Sequence, residues 1–272
     1  RFFTAWRDQV MFKLTMFKWA AKPGAKGMVY DALQPAIRYT KEQCLDLPPV
    51  VTMTREVPLT PQQAKYYNML KEQMLIQAAG ETITAVNAAT GVNKLLQISC
   101  GAAYTDAGEV VEFDAAPRLG VLQEILEETS RKVIIFALYR SIINTIQSHL
   151  TKCNIANECI HGGVAASKRA DIISRFQNRP DETRVLVMQP AATAHGITLT
   201  AADTVVFFGP LMSVEQYIQC IARADRKGQN SDKVTVVHIE GSPIEKKMFK
   251  ALASKVTDNN LLTEMFKIEI NL

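Results

Sequence analysis

The residues from Gln219 to Gln229 read QCIARADRKGQ and carry the strongest chemical signal in the chain. Arg223 and Arg226 stand three apart, a spacing that predicts one helical turn presenting both guanidiniums on one face. Two cations beside the amide of Gln219 suit a polyphosphate whose charge rises during group transfer. The same spacing also suits an exposed basic helix end closed by Gly228, and spacing alone does not separate the two readings.

Other reactive constellations are missing. Cys44, Cys100, Cys153, Cys159 and Cys220 are odd in number and scattered, without a C-x-x-C pair, which points to ordinary thiols in a reducing, intracellular compartment. Cys153, Cys159 and His161 lack a fourth ligand at metal spacing, so no metal site is expected. The four histidines form no H-x-x-x-H pair, and no G-x-S-x-G occurs. There is no G-x-x-x-x-G-K-[ST] either. The only Asp-Glu pair, Asp181-Glu182, sits in a Pro-led loop before a strand, whereas a magnesium carboxylate belongs at a strand's carboxyl end. These 272 residues therefore offer neither a phosphate cradle with its lysine nor a magnesium site.

A second grouping opens the chain. Residues 1–26 hold Arg1, Arg7, Lys13, Lys18, Lys22 and Lys26 against Asp8 alone, a balance of +5 within a total of +4. Phe2, Phe3, Trp6, Phe12, Phe17 and Trp19 interleave with these cations. Cations for phosphates and rings for bases suit a nucleic-acid surface, while an amphipathic segment docked on another domain accounts for the same pattern.

The elements that must position these residues read as follows. Thr60 predicts an N-cap, with Pro61 in the first helical position and Gln63 completing a capping box, for a helix ending near Gly80. The Pro-bounded run before it, with Val51, Met53, Arg55 and Val57 alternating against polar neighbours, predicts an edge strand. A helix around Asn93 to Ile98 and a Gly-containing loop follow. From Arg118 onward the pattern is regular: a fully apolar strand at 133–138 and strands at 157–160, 184–188, 204–208 and 233–239 alternate with helices at 118–128, 141–150, 165–176 and 213–222, and a final helix starts near Pro243. Continuous Val, Ile and Phe runs between helices predict an open α/β domain, a parallel sheet covered on both faces, with functional loops at the carboxyl ends of its strands.

Composition agrees with such a domain: 47% hydrophobic and 21% charged is globular. The longest apolar runs, such as Val133 to Leu138, fall far short of the roughly 20 residues of a membrane span. With no secretory signal and an opening on Arg1 rather than Met, a fragment of a longer protein is expected.

Several segments, in order, resemble the second RecA-like lobe of superfamily-two helicases, most closely the Swi/Snf-type DNA-dependent ATPases. VIIFALYRS (Val133 to Ser141) looks like motif four, and HGGVAASKRADIISRF (His161 to Phe176) like the following loop and helix. GITLTAADTVVFF, from Gly196, is similar to motif five and its next strand. QCIARADRKGQ resembles motif six, Q-x-I-x-R-x-x-R-x-G-Q in the family. IRYTKEQCLDLPP and KLLQISC resemble family segments between the lobes. KWAAKPGAKGMVYDALQPAIRY, ending at Tyr39, and PAATAH (Pro190 to His195) look like the versions in phage-encoded members. Tyr39 stands where remodellers usually have a second Arg before Thr, and Asp225 replaces a usual His, so nucleosome remodelling is not implied.

The resemblance implies a mainly helical inter-lobe extension over 1–113, a RecA-like helicase C-terminal lobe over 114–258 and a tail over 259–272. It implies ATP with Mg2+ in a cleft completed by an N-terminal RecA-like lobe, and DNA running across both lobes. Arg223 and Arg226 would be arginine fingers, and Gln219 and Gly196 would line the cleft. Candidate strand contacts are Arg140, the backbone at His161 and Gly162, and the hydroxyls of Thr198 and Thr200. A solvated Arg140, and threonines that only satisfy a turn, are the alternatives. The function implied is half of an ATP-driven DNA translocase or helicase, in the host cytoplasm if phage-encoded, without membrane association. A non-enzymatic nucleic-acid or partner-binding module is the rival. A sugar- or nucleotide-transferring enzyme would need a carboxylate or base in loops that offer only Arg, Gln and Thr.

Overall fold

The computed structural model describes residues 3–16, 19–37, 39, 44, 46–80, 85–105, 107–193 and 196–254. The chain forms two compact units, Arg1–Asp46 and Leu47–Leu272. Among the described residues no helix is long and apolar enough to cross a membrane.

The first unit contains helix α1 (Phe3–Val10), an antiparallel pair β1 (Met11–Lys13) and β2 (Trp19–Ala21), and helix α2 (Ala25–Leu33). Lys22 closes the hairpin, its backbone N–H on Val10 O at 2.9 Å and its ammonium on Asp8 O at 2.6 Å. Of its described apolar side chains only Val10 and Ala25 are buried, while Phe3, Met16, Tyr30, Leu33, Ile37 and Tyr39 are exposed. Two of the expected surface groups occupy each other: the Arg7 guanidinium lies 3.8 Å from the Trp19 ring centroid and also meets Asp8 at 3.2 Å. A base stacking on that face of Trp19 must displace Arg7.

The second unit begins with β3 (Val50–Glu56), α3 (Pro61–Gly80), α4 (Ala85–Cys100) and the antiparallel hairpin β4 (Ala102–Tyr104)–β5 (Val110–Glu112). It continues α5 (Ala116–Glu127), β6 (Lys132–Phe136), α6 (Arg140–Lys152), β7 (Asn157–Ile160), α7 (Ala166–Asn178) and β8 (Val185–Met188). A 3-10 turn (Pro190–Thr193) then leads to β9 (Ala202–Phe207), α8 (Val214–Ile221), β10 (Val234–Glu240) and α9 (Pro243–Ala253). The strands pair in one six-stranded, all-parallel sheet of order β3-β10-β9-β6-β8-β7. The chain leaves β6 for β7, returns to β8 between them, and crosses to β9 on the other side of β6. That reversal beside β6 is the switch point of an open α/β sheet.

Alternation along each strand assigns the faces. Val133, Ile135, Val185 and Val187 pack with Leu122 and Ile125 of α5 and with Ile142 and Ile146 of α6. Ile134, Phe136, Leu186 and Val205 pack with Ile172 and Phe176 of α7 and Tyr217 of α8. A third cluster joins Tyr67 and Met74 of α3, Val92 and Leu95 of α4, and Ile244 and Met248 of α9.

The strand read from the Pro-bounded run does lie at the sheet's edge, and the Thr60–Gln63 capping box forms, with Gln63 N on Thr60 Oγ1 at 3.3 Å and Thr60 N on Gln63 Oε1 at 3.0 Å. The helix expected around Asn93 is longer at both ends, and the β4–β5 hairpin falls in a stretch read as loop. Residues 47–113 belong to the same compact unit as the lobe, because β3 is a strand of the main sheet and α4 packs on α9. The boundary drawn at 113/114 therefore lies inside that unit. The tail over 259–272 lies outside the described residues.

One buried titratable group makes the fold sensitive to acid. His238 on β10 is 2% exposed, stacks on Phe249 with centroids 4.1 Å apart, and shares a 2.9 Å hydrogen bond between Nε2 and the Tyr217 hydroxyl. Burial pushes its pKa down to about 4. An unfolded histidine titrates near about 6.5. The unfolded chain therefore binds the extra proton first, and stability is lost as pH falls from about 6.5 towards about 4, by about 3 kcal/mol in all. Urea midpoints measured across that range should fall in the wild type. In a His238→Phe/Tyr217→Phe double variant this part of the slope should vanish. Identical acid slopes in the two proteins would reject the assignment.

Candidate functional site

The candidate residues separate into two groups, joined by the connection from Gln189 to Ala201. The first group stands at the carboxyl ends of β6, β7 and β8. Arg140 begins α6 and is exposed. His161, Gly162 and Gly163 form the turn after β7, where Gly163 N donates to His161 Nδ1 at 3.0 Å. A Cβ on Gly163 would lie 3.3 Å from the Arg140 guanidinium and 3.1 Å from the His161 ring, so a larger residue here would push one of these side chains by a few tenths of an ångström. Burial first, then the neighbouring Arg140 and Arg169 cations, pull the His161 pKa below its usual value and favour the neutral ring.

Gln189, which follows β8, holds this group together. Its Nε2 donates to Leu138 O at 3.1 Å, its Oε1 accepts from Gly162 N at 3.3 Å, and its backbone N–H reaches Ile160 O at 2.9 Å. Arg169 of α7 adds donors to Gly162 O at 3.1 Å and Val164 O at 2.7 Å. Behind Arg140, the Tyr139 hydroxyl donates to Asn93 Oδ1 at 2.6 Å, and Ser141 N donates to the Tyr104 hydroxyl at 3.2 Å. Gln189, Arg169, Asn93 and Tyr104 were not singled out from sequence; their partners lie 5 to 51 residues away, outside the spacings that local motifs announce.

The second group contains Gly196, Thr198, Thr200, Gln219, Arg223 and Arg226. Ser213 caps α8, accepting from Gln216 N at 3.3 Å, as the sequence suggests. The helix ends at Ile221, however, and residues 222–228 form tight turns. Arg223 and Arg226 therefore do not share a helical turn: Arg223 is 9% exposed and Arg226 is exposed. Nor do they stand at a carboxyl end. Helix α8 runs back from the carboxyl end of β9, so its last turn reaches the amino end, where Leu199 N donates to Arg223 O at 2.9 Å and Gln229 Nε2 to Ala202 O at 2.8 Å.

Arg226 reaches from there to the connection, donating to Gly196 O at 3.0 Å and to Ile197 O at 3.4 Å. Gly196 has φ 63°, the left-handed region that favours glycine, which turns its carbonyl where Arg226 meets it. Arg223 Nε is buried with no hydrogen-bond partner among the described residues. Burial, and then the Arg226 cation, lower its pKa from the usual value. Gln219 bonds Glu215 along its own helix at 3.0 Å. Thr198 is half-buried in the connection. Thr200 is 8% exposed and accepts from Gln177 Nε2 at 3.0 Å, so its hydroxyl ties the connection to α7 rather than facing the surface. Among the described residues no group of three or more His, Cys, Asp or Glu could hold a metal ion.

Comparison with known proteins bears on this arrangement. Residues 117–228, which include all nine candidate residues, match the model of the helicase conserved C-terminal domain. The chain is 23% identical over 248 residues to the CHD3-type chromatin-remodeling factor PICKLE of Arabidopsis thaliana, covering 85% of this chain and 18% of that protein. It spans under a third of the length of the curated relatives it matches. In fold it is similar to the SWI2/SNF2 ATPase core of Sulfolobus solfataricus in complex with double-stranded DNA, with a TM-score of 0.64 and 23% identity over 91% of this chain and 54% of that one. The C-terminal domain of the same Sulfolobus ATPase superposes with a TM-score of 0.60 at 22% identity, covering 80% of this chain and 96% of that domain. These relatives lend no support to the expected likeness to phage-encoded members. Residues 117–228 thus match a helicase C-terminal domain, on a RecA-like fold shared with the C-terminal domain of that ATPase.

Proposed function

We propose that the chain is the second ATPase lobe of a DNA-dependent translocase or helicase, and that Arg223 and Arg226 act on ATP held with Mg2+ by a first lobe outside these 272 residues. The observation that carries this reading is Arg223, a buried guanidinium whose Nε lacks a partner and which has a second guanidinium three residues on. An idle buried donor on a cation is costly, and a phosphate oxygen is the acceptor that offsets it most fully. Arg226, now on two neutral carbonyls, loses little by exchanging them for an anion. Gln219 and the Gly196 carbonyl complete the polar surface on that side.

Bound ATP with Mg2+ supplies the phosphoryl-transfer chemistry and its free energy. The described residues contribute positive charge and no carboxylate cluster, so metal binding would fall to the first lobe. The other group, Arg140 with the His161–Gly162 turn, offers a cation and backbone groups at the carboxyl ends of β6 and β7, a surface for phosphates of a DNA strand. The connection from Gln189 to Ala201 touches both groups, so a change at Arg226 can shift the strand contacts through one short segment.

This reading predicts that the 272-residue chain alone shows no DNA-stimulated ATP hydrolysis above buffer, and that the protein extended by an upstream first lobe does. Turnover by the isolated chain would overturn it, as would an extended protein whose ATPase ignores DNA.

A further inference from the structure

A groove of about 680 Å3 runs from Arg140 along the outer side of α6, between that helix and the β4–β5 hairpin. One wall is a single helix face: Arg140, Ser141, Asn144, Thr145, Ser148 and Lys152 recur at three- and four-residue intervals. The opposite face of α6, with Ile142, Ile143, Ile146 and Leu150, is spent on the sheet. The 13 residues of α6 include no Asp or Glu and carry a cation at each end. The facing wall holds Tyr104 and Val110, the latter 43% exposed, with Glu112 as its one acid. At the Arg140 end, the Ser141 hydroxyl in the groove wall is buried without a hydrogen-bond partner.

We infer that this groove takes one strand of nucleic acid, with its sugar–phosphate backbone along α6 and its bases toward Tyr104 and Val110. The inference rests on the DNA reading above and adds a path beyond the strand-end loops. Hydroxyls, an amide and two cations are the groups that bond phosphate and sugar oxygens, and an aromatic ring with an exposed apolar neighbour suits base faces. An acidic peptide would call for denser cations and has no use for the hydroxyl row. At 1.5 Å per residue, α6 spans about 20 Å. A strand carries a phosphate every roughly 3.4 Å in a duplex and fewer when extended, so the groove holds only a few nucleotides.

The test compares the 272-residue chain with its Asn144→Glu/Ser148→Glu variant, both positions being exposed on α6 and tolerant of charge. The probes are a 20-nucleotide oligothymidylate, a blunt mixed-sequence duplex and a polyglutamate peptide, titrated at several salt concentrations. The variant should lose at least about tenfold in oligothymidylate affinity while its duplex affinity stays within about twofold. Lys152→Ala should lower the single-strand salt slope by about 0.7, the value of one phosphate contact. If the wild type binds DNA and the variant binds oligothymidylate equally well, the groove is not the path and the lobe reading stands. Equal losses for both DNA forms, or a loss confined to polyglutamate, also overturn the groove. A wild-type chain that binds neither DNA form overturns the lobe reading and the groove together.

Discussion

Arg226→Ala, in the protein that carries both lobes, should lower kcat for DNA-stimulated ATP hydrolysis by about 10³ to 10⁵ while KM for ATP changes only a few-fold. The side chain is exposed, and among the described residues it bonds the Gly196 and Ile197 carbonyls, both neutral acceptors. Its removal should therefore cost the fold no more than about 0.5 kcal/mol, and the loss of rate can be read as lost transition-state stabilisation. Arg226→Lys should recover little, because a single ammonium lacks the planar fork that spans two phosphate oxygens. Arg223→Ala should match the rate loss but also lower stability, because Arg223 is largely buried. Single-turnover rates beside urea midpoints separate the two effects. Wild-type kcat in Arg226→Ala would reject the assignment, and a large affinity loss with normal kcat would make Arg226 a ground-state ligand instead.

The elements that one local signal determines were legible in the sequence. Thr60, Pro61 and Gln63 mark a helix start because Thr60 and Gln63, three residues apart, cap each other, and the runs at 133–138 and 185–188 are apolar on both faces because helices cover both. The motif residues were legible as types and spacings, but not as geometry. Arg223 and Arg226 would share a helix face only if α8 continued. Residues 222–228 turn instead, drawn by backbone bonds to Leu199 and by the Gln229 amide on Ala202 and Ala224, which no spacing in QCIARADRKGQ announces. The sequence leaves Thr200 open between a strand contact and a turn hydroxyl, and it does not announce Gln177, near the end of α7, as its partner. Gln189 carries no local signal, although it joins the turns after β6 and β7. A residue whose role is to bridge three strand ends looks like any glutamine in one dimension.

Arg118 is the extreme case, read only as the first residue of a helix, and its replacement should have the largest effect on stability. Its side chain is 4% exposed and faces Glu245, which is fully buried, at 2.6 Å. The remaining donors reach Ser99 O and Phe208 O, each at 2.9 Å, and Ile239 O. Glu245 in turn accepts from Gly241 N at 2.8 Å and Ser242 N at 3.0 Å, closing the capping box of α9. One guanidinium thus joins the end of α4, the carboxyl ends of β9 and β10, and the start of α9. Arg118→Met leaves a buried carboxylate uncompensated and three carbonyls short of a donor, so it should cost about 3 to 5 kcal/mol. That is a large part of the roughly 5 to 15 kcal/mol that holds a domain folded. Arg118→Lys keeps the charge but has three donors for five bonds, and should fall between the two. Cys100 offers an independent readout, because burial pushes its thiol up to about 12 and makes it inert to alkylating reagents at neutral pH. Its labelling should be slow in the wild type and much faster in Arg118→Met, at a urea concentration well below either midpoint. An Arg118→Met midpoint within about 1 kcal/mol of wild type, with Cys100 still protected, would show that the sheet ends and the three helices are held together without this guanidinium.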